Sequence, residues 1–228
     1  VRYWPDAKYF DTAVFPVEGL KKVLKTKAIL CPALYTELVI EKTGERFEWH
    51  YETGIKTYLQ SLVGEEVLPK ELIGLSTKSA EMQLEWVLTW VHPDAIQNVV
   101  QDSYVNLIHT PLGGTHDNGL RAGVVEAVRD FCELHQLLPR GVKLKPEDIT
   151  GHCAYVMSYK MADPQFVGQT KERLSSRNAY QYILNMTKDS MSLWLNEHVN
   201  TAKEITQYCI ERAQKRQRIA KKVTRAKV

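Results

Sequence analysis

Two stretches in which apolar residues recur at every second position, with a helical stretch between them, limit what this chain can fold into more than any other feature. In "LEWVLTWV", Leu84, Trp86, Leu88 and Trp90 share one face of an extended strand. In "HCAYVMSYKMADP", Cys153, Tyr155, Met157 and Tyr159 oppose Ala154, Val156, Ser158 and Lys160. Between them, "GGTHDNGLRAGVVEAVRDFCELH" sets Leu120, Val124, Ala127, Val128, Phe131 and Leu134 along one helical face. Such an order calls for helices layered on a sheet. The expected fold class is therefore α+β, a mixed β-sheet with interleaved helices, followed by a long C-terminal helix.

The flanking segments fill in this plan. "VRYWPD" is expected to be the tail of a strand stopped by Pro5 and Asp6, which suggests a piece of something longer. Leu20, Val23, Leu24 and Ala28 predict a helix from Val17 that Pro32 stops. "LYTELVIEKTGERFEWHYE" predicts a hairpin turning at Thr43 and Gly44, with a short helix over Gly54 to Leu62 after it. Lys70 to Glu81, marked by Gly74, Ser76, Thr77 and Ser79, is expected to be a loop, and "SYVNLIH" a strand after a turn at Pro93 and Asp94.

The helix opened by the glycine pair is expected to be capped by Thr115 or Asp117 and to end at Pro139. Ser175 or Ser176 caps a long amphipathic helix through Ile183, Leu184, Met191 and Leu195. Thr201 and Glu204 form a capping box for a last helix. The domain plan is residues 1–198 as one body and 199–228 as a basic connector helix.

Of 228 residues, 44% are hydrophobic and 25% charged, which excludes disordered and fibrous classes. No run approaches the ~20 apolar residues of a membrane span, and the first residues lack a signal pattern, so the expectation is a cytoplasmic protein with no membrane partner. Cys31, Cys132, Cys153 and Cys209 are too scattered for a zinc ribbon or a disulfide scaffold, and the histidines show no ligand spacing, so no metal is expected.

Candidate chemistry is sparse. Glu147 and Asp148 in "KPEDI" suit the first turn of a helix better than an acid pair. "GGTH", Gly113 to His116, fits either an anion site at a helix start or a tight strand-to-helix turn. Gly168, Gln169 and Lys171 offer an unusual backbone path, an amide and a cation on one loop, a combination suited to a phosphate supplied from elsewhere. After Glu211 there is no acid, and the basic end from Arg212 would attract a polyanion.

The stretches "GGTHDNGLRAGVVEAVRDFCE", "LLPRGVKLKPEDI", "CAYVMSYKMADPQFVGQTKERLSSR" and "AQKRQRIAKKV" closely resemble the transducer domain of bacterial type IIA DNA topoisomerase B subunits. "YWPD" and "FVGQTKERLSSR" look more like the topoisomerase IV member of that family than the gyrase member. The resemblance implies a ribosomal S5 domain 2-like fold with a left-handed β-α-β crossover. It also implies a parent that uses ATP and Mg2+, works with a ParC-like A subunit, pairs with a second copy of itself when ATP binds, and passes double-stranded DNA. By the same resemblance Gln169 and Lys171 contact the γ-phosphate of ATP held by a neighbouring domain, with Lys171 also assisting hydrolysis, and this segment alone is inactive. Arg121, Arg216, Lys221 and Lys222 are its candidates for DNA-cavity contacts. Thr150, Gly151 and His152 depart from the family pattern, which gives His152 no role. An independent nucleic-acid-binding module using the basic helix is the competing reading.

Overall fold

The computed structural model describes residues 4–6, 8, 9, 11, 12, 14–92 and 99–226. The chain divides into two compact units, Val1–Gly54 and Ile55–Val228. In the first, α1 (Val17–Leu30) accompanies an antiparallel hairpin of β1 (Thr36–Ile40) and β2 (Glu45–Trp49), with Leu38 opposite Phe47. Thr36 Oγ1 donates to the Leu24 carbonyl at 3.2 Å, and Lys21 Nζ lies 3.8 Å from the Phe47 ring centroid, so the helix and hairpin hold each other. The first three residues of the expected N-terminal strand lie outside the described residues, and Trp4, Pro5 and Asp6 take no strand conformation.

The second unit begins with α2 (Ile55–Val63) and builds a five-stranded sheet in the order β3-β4-β7-β5-β6. Its strands are β3 (Val67–Lys78), β4 (Met82–Val91), β5 (Gln101–Val105), β6 (Ile108–His109) and β7 (Cys153–Met161). Among these strands only β5 and β7 pair in parallel, joined through α3 (Thr115–Leu134) and the short α4 (Pro146–Thr150) as a β-α-β crossover. The sheet is therefore mixed, as the alternating pattern required.

Leu84, Trp86, Leu88 and Trp90 join Cys153, Tyr155, Met157 and Tyr159 in one core cluster with α3, α5 (Arg177–Glu197) and α6 (Val199–Ala226). Alternation suggested a half-buried β7, yet Ala154, Val156 and Ser158 on its second face are buried as well. The cause is α2, whose buried Ile55, Leu59 and Val63 pack on the sheet from the other side. At about 25 cal/mol per Å² of apolar area, covering both faces makes β4 and β7 large contributors to stability.

Three local expectations are corrected. Lys70 to Lys78 is not a loop but part of β3, an edge strand whose outward Ser and Thr residues carry no apolar signature. "SYVNLIH" is two strands, because Asn106 and Leu107 adopt φ of 48° and 65° and turn the chain. Asn106 also replaces ladder contacts by receiving the Met161 N–H on Oδ1 at 2.9 Å and donating to its carbonyl at 2.9 Å. Finally, α6 starts at Val199, directly after the α5 cap at His198, so Thr201 lies inside the helix rather than at its cap. The expected turn at Pro93 and Asp94 lies outside the described residues.

Candidate functional site

Past β7 the chain makes a narrow stem that closes on itself. Ser175 N–H donates to the Gln165 carbonyl at 2.7 Å, Val167 N–H to the Arg173 carbonyl at 2.9 Å, and Phe166 pairs with Leu174. Ser176 precedes α5, but its hydroxyl caps nothing in the helix. It accepts the Gln165 N–H at 2.9 Å, while Ser175 Oγ donates to the Gln165 carbonyl at 3.0 Å. Both serines thus fasten the stem, which corrects the expectation that they serve as caps.

The tip is Gly168 to Glu172, with Gln169, Thr170 and Lys171 all exposed. Gly168 takes φ of 79°, a conformation that L side chains rarely tolerate. Lys171 itself is left-handed, with φ of 57°, and its Nζ stands 6.0 Å from the Phe166 ring centroid. Among the described residues it forms no ion pair, whereas the neighbouring Glu172 carboxylate receives the Thr170 hydroxyl at 3.3 Å. A free ammonium beside an amide on a raised loop can take an anion at little reorganisation.

The glycine pair explains how this tip is held. Leu174 N–H donates to the Gly113 carbonyl at 3.1 Å, and Thr115 N–H donates to the Leu174 carbonyl at 3.0 Å, so the returning arm of the stem lies as a parallel bridge on Gly114. Leu112 N–H adds a bond to the Glu172 carbonyl at 3.1 Å. Gly114 has φ of 139°, and a Cβ there would lie 2.3 Å from the Leu174 carbonyl oxygen. Of the two readings of "GGTH", the structure favours the tight turn: its backbone groups are spent on the loop rather than on an anion.

The next two residues anchor the same turn from below. His116 is fully buried, and its Nε2 lies 3.0 Å from both Thr110 Oγ1 and Ser103 Oγ, tying the start of α3 to the β5–β6 hairpin. Burial lowers its pKa to about 4 against a smaller opposing effect of the Asp117 charge, so the ring is neutral at physiological pH. Asp117 does not cap α3 but accepts from Tyr155 Oη and from Arg121 Nε, the latter at 3.0 Å. Gly114 occupies the cap position with no side-chain bond.

The other predicted residues lie elsewhere. Arg121 is committed to Asp117 and, at 2.9 Å, to Gln101 Oε1, with its guanidinium over Tyr155. Arg216 is paired with Asp148 on α4. Burial would raise that carboxyl, but hydrogen bonds from Arg216 and the Lys145 N–H, with the charges of Arg216 and Arg212, hold it below the usual carboxylate range. Lys221 is exposed on α6, and the side chain of Lys222 lies outside the described residues. Of the predicted residues, Gln169 and Lys171 alone share one exposed loop. His116 and Asp117 were missed as anchors, although "GGTH" was the signal for them. Among the described residues no three His, Cys, Asp or Glu side chains cluster as metal ligands, and no helix is long and apolar enough to cross a membrane.

The sequence profile of the family described as DNA gyrase B matches residues 54–225. The chain belongs to that family. Within the DNA gyrase B family it is 49% identical over 229 residues to the DNA topoisomerase 4 B subunit of Pseudomonas aeruginosa and 46% identical over 230 residues to that of Escherichia coli. The DNA gyrase B subunit of Haloferax volcanii is more distant, at 28% identity. All of the chain aligns in these cases, and it spans about 36% of the length of these relatives. A solved topoisomerase IV ATP binding domain of Francisella tularensis, in complex with a small molecule inhibitor, superposes with a TM-score of 0.79 at 36% identity, covering 93% of this chain and 57% of that one. The 43K ATPase domain of Thermus thermophilus gyrase B has a TM-score of 0.80 at 21% identity, over 98% of this chain and 60% of that one, and shares the fold.

Proposed function

We propose that this segment is the nucleotide-sensing and motion-relaying part of an ATP-dependent type II DNA topoisomerase of the topoisomerase IV kind, which decatenates and relaxes chromosomal DNA in the bacterial cytoplasm. The observation that carries the reading is the Gly168–Lys171 tip, a raised loop whose lysine forms no ion pair among the described residues, built onto the start of α3 by Gly114. In this reading Gln169 and Lys171 meet the γ-phosphate of ATP bound, with Mg2+, by a neighbouring domain of the parent protein. Lys171 also offsets charge that develops on the phosphate during hydrolysis.

A ligand shifts two arrangements only by its differential affinity for them. Contacts made only when the domains close favour closure by about 1.5–3 kcal/mol for each charge-assisted bond. Phosphate release removes that bias, and α6 carries the change toward the DNA gate formed with the ParC-like partner, as the two copies of the parent protein separate. The segment alone hydrolyses no ATP. The competing nucleic-acid-binding module is weakened by the internal pairing of Arg212 and Arg216, since cations already engaged are poor phosphate ligands.

The test is Lys171→Ala in a full-length topoisomerase protein carrying this segment. ATP turnover is expected to fall about a hundredfold, with the unfolding temperature unchanged, and near-normal turnover would sink the assignment.

A further inference from the structure

Along α6, Tyr208, Arg212 and Arg216 recur at every fourth residue, so they form one stripe about 12 Å long on a helix that rises about 1.5 Å per residue. Each meets the corner where α4 leads into β7. Tyr208 Oη lies 2.7 Å from His152 Nδ1 and 3.2 Å from the Val91 carbonyl oxygen. Arg212 Nη2 donates to the Glu147 carbonyl at 3.1 Å. Arg216 closes a two-pronged pair on Asp148, Nε to Oδ1 at 2.9 Å and Nη2 to Oδ2 at 2.7 Å, and Nη2 also reaches the Lys143 carbonyl at 3.2 Å. One residue further, Gln217 Nε2 donates to the Gly141 carbonyl at 3.3 Å. From Arg218 to Lys221 the side chains are exposed.

Two details show that the corner is shaped to receive the stripe. Asp148 is fixed from the other side as well, because its Oδ2 accepts the Lys145 N–H at 2.8 Å and closes the first turn of α4. At Gly151 an added Cβ would stand 2.6 Å from both Arg212 Nη2 and the Glu147 carbonyl oxygen that Arg212 binds, so the glycine leaves room for the guanidinium on that carbonyl. Beneath the stripe Ala202, Ile205, Cys209, Ile210 and Ala213 are buried, and such apolar contacts are non-directional. A helix held by them alone can roll about its axis. A planar guanidinium on a carboxylate fixes angle as well as distance.

We propose that Tyr208, Arg212, Arg216 and Gln217 form a clasp that makes α6 one rigid piece with the α4–β7 corner and sets the fulcrum from which the exposed end of the helix swings. The clasp rests on the reading of this segment as a relay, and it positions the lever without touching nucleotide. Residues His152 and Gly151, which departed from the family pattern, acquire roles as the seat of Tyr208 and the clearance for Arg212.

The experiment uses a full-length topoisomerase IV protein carrying this segment, assembled with its ParC-like partner. Asp148→Asn keeps an oxygen for the Lys145 N–H but removes the charge and one arm of the fork. Tyr208→Phe removes only the hydroxyl and serves if the first variant does not fold. ATP turnover is expected to stay within about twofold of wild type, while DNA circles decatenated per ATP fall at least fivefold for Asp148→Asn and about twofold for Tyr208→Phe. Wild-type decatenation per ATP in folded variants overturns the clasp, and so does a loss of ATP turnover equal to the loss of decatenation. A Lys171→Ala control in the same assay separates the two readings. If its turnover survives, the γ-phosphate reading fails whatever the clasp variants do; if it collapses while the clasp variants decatenate normally, only the clasp fails.

Discussion

The tip at Gly168–Lys171 and the stripe at Tyr208–Gln217 are both rich in donors, and the fold treats them in opposite ways. Lys171 is raised on a stem, held in a left-handed conformation and left without an ion pair among the described residues. Arg216 instead is engaged by Asp148 and a carbonyl, and Arg212 is drawn against Glu147 and Gly151. In sequence the basic helix looks the more available of the two, and a single lysine on a loop the less. The difference teaches that availability depends on where nearby acceptors are placed, which charge counting cannot register.

The largest expected effect lies under the tip. Gly114→Ala forces a Cβ onto the Leu174 backbone at a φ of 139°, so it should destabilise the segment by about 3–5 kcal/mol and free the loop, read by urea unfolding. An unchanged midpoint would mean that the bridge to Leu174 is not what holds the tip.

The His116 anchor comes next and is read by pH. Its folded pKa, about 4, lies below the ordinary 6.5, so the unfolded chain takes up a proton first as pH falls. Stability contributed by the neutral ring is complete above pH 6.5 and is lost between pH 6.5 and 4, by on the order of 3 kcal/mol. His116→Gln should flatten that part of the curve relative to wild type, measured by denaturant titration across pH. The loss of about a hundredfold in turnover for Lys171→Ala, equivalent to about 2.7 kcal/mol in barrier, is of similar size but leaves stability alone. That contrast separates a free cation from its mounting.

On the stripe, Gly151→Ala should cost about 1–2 kcal/mol by pressing on the Glu147 carbonyl and displacing Arg212 from it, seen as a lower unfolding temperature. Beyond the clasp, Lys221→Ala should change stability by less than about 0.5 kcal/mol, because its side chain is exposed. A larger change there would extend the clasp past Gln217.

Much of the architecture was legible because periodicity reports burial: the β4 and β7 alternations and the α3 face from Leu120 to Phe131 were read directly and lie in one core, whereas Leu134, expected on the same face, is exposed at the last residue of α3, where the helix ends. β3 escaped because an edge strand needs no outward apolar residues, and the β5–β6 turn because Asn106 and Leu107 supply a left-handed turn without glycine. The site was half legible. Gln169 and Lys171 could be nominated from local chemistry and a family motif, but the bridge to Gly114 joins residues some sixty positions apart, and no local pattern encodes it. The partner of Arg216 was hidden for the same reason: it lies 68 residues earlier, at what looked like an ordinary helix start.

The four-residue spacing of Tyr208, Arg212 and Arg216 also makes α6 sensitive to phase. Each residue turns an α-helix by about 100°, so deleting one position between Tyr208 and Arg216 would carry the guanidinium fork away from Asp148 with composition almost unchanged. After Gln217 no such constraint acts on the described side chains, and the helix there can change length and still leave the corner in the same direction.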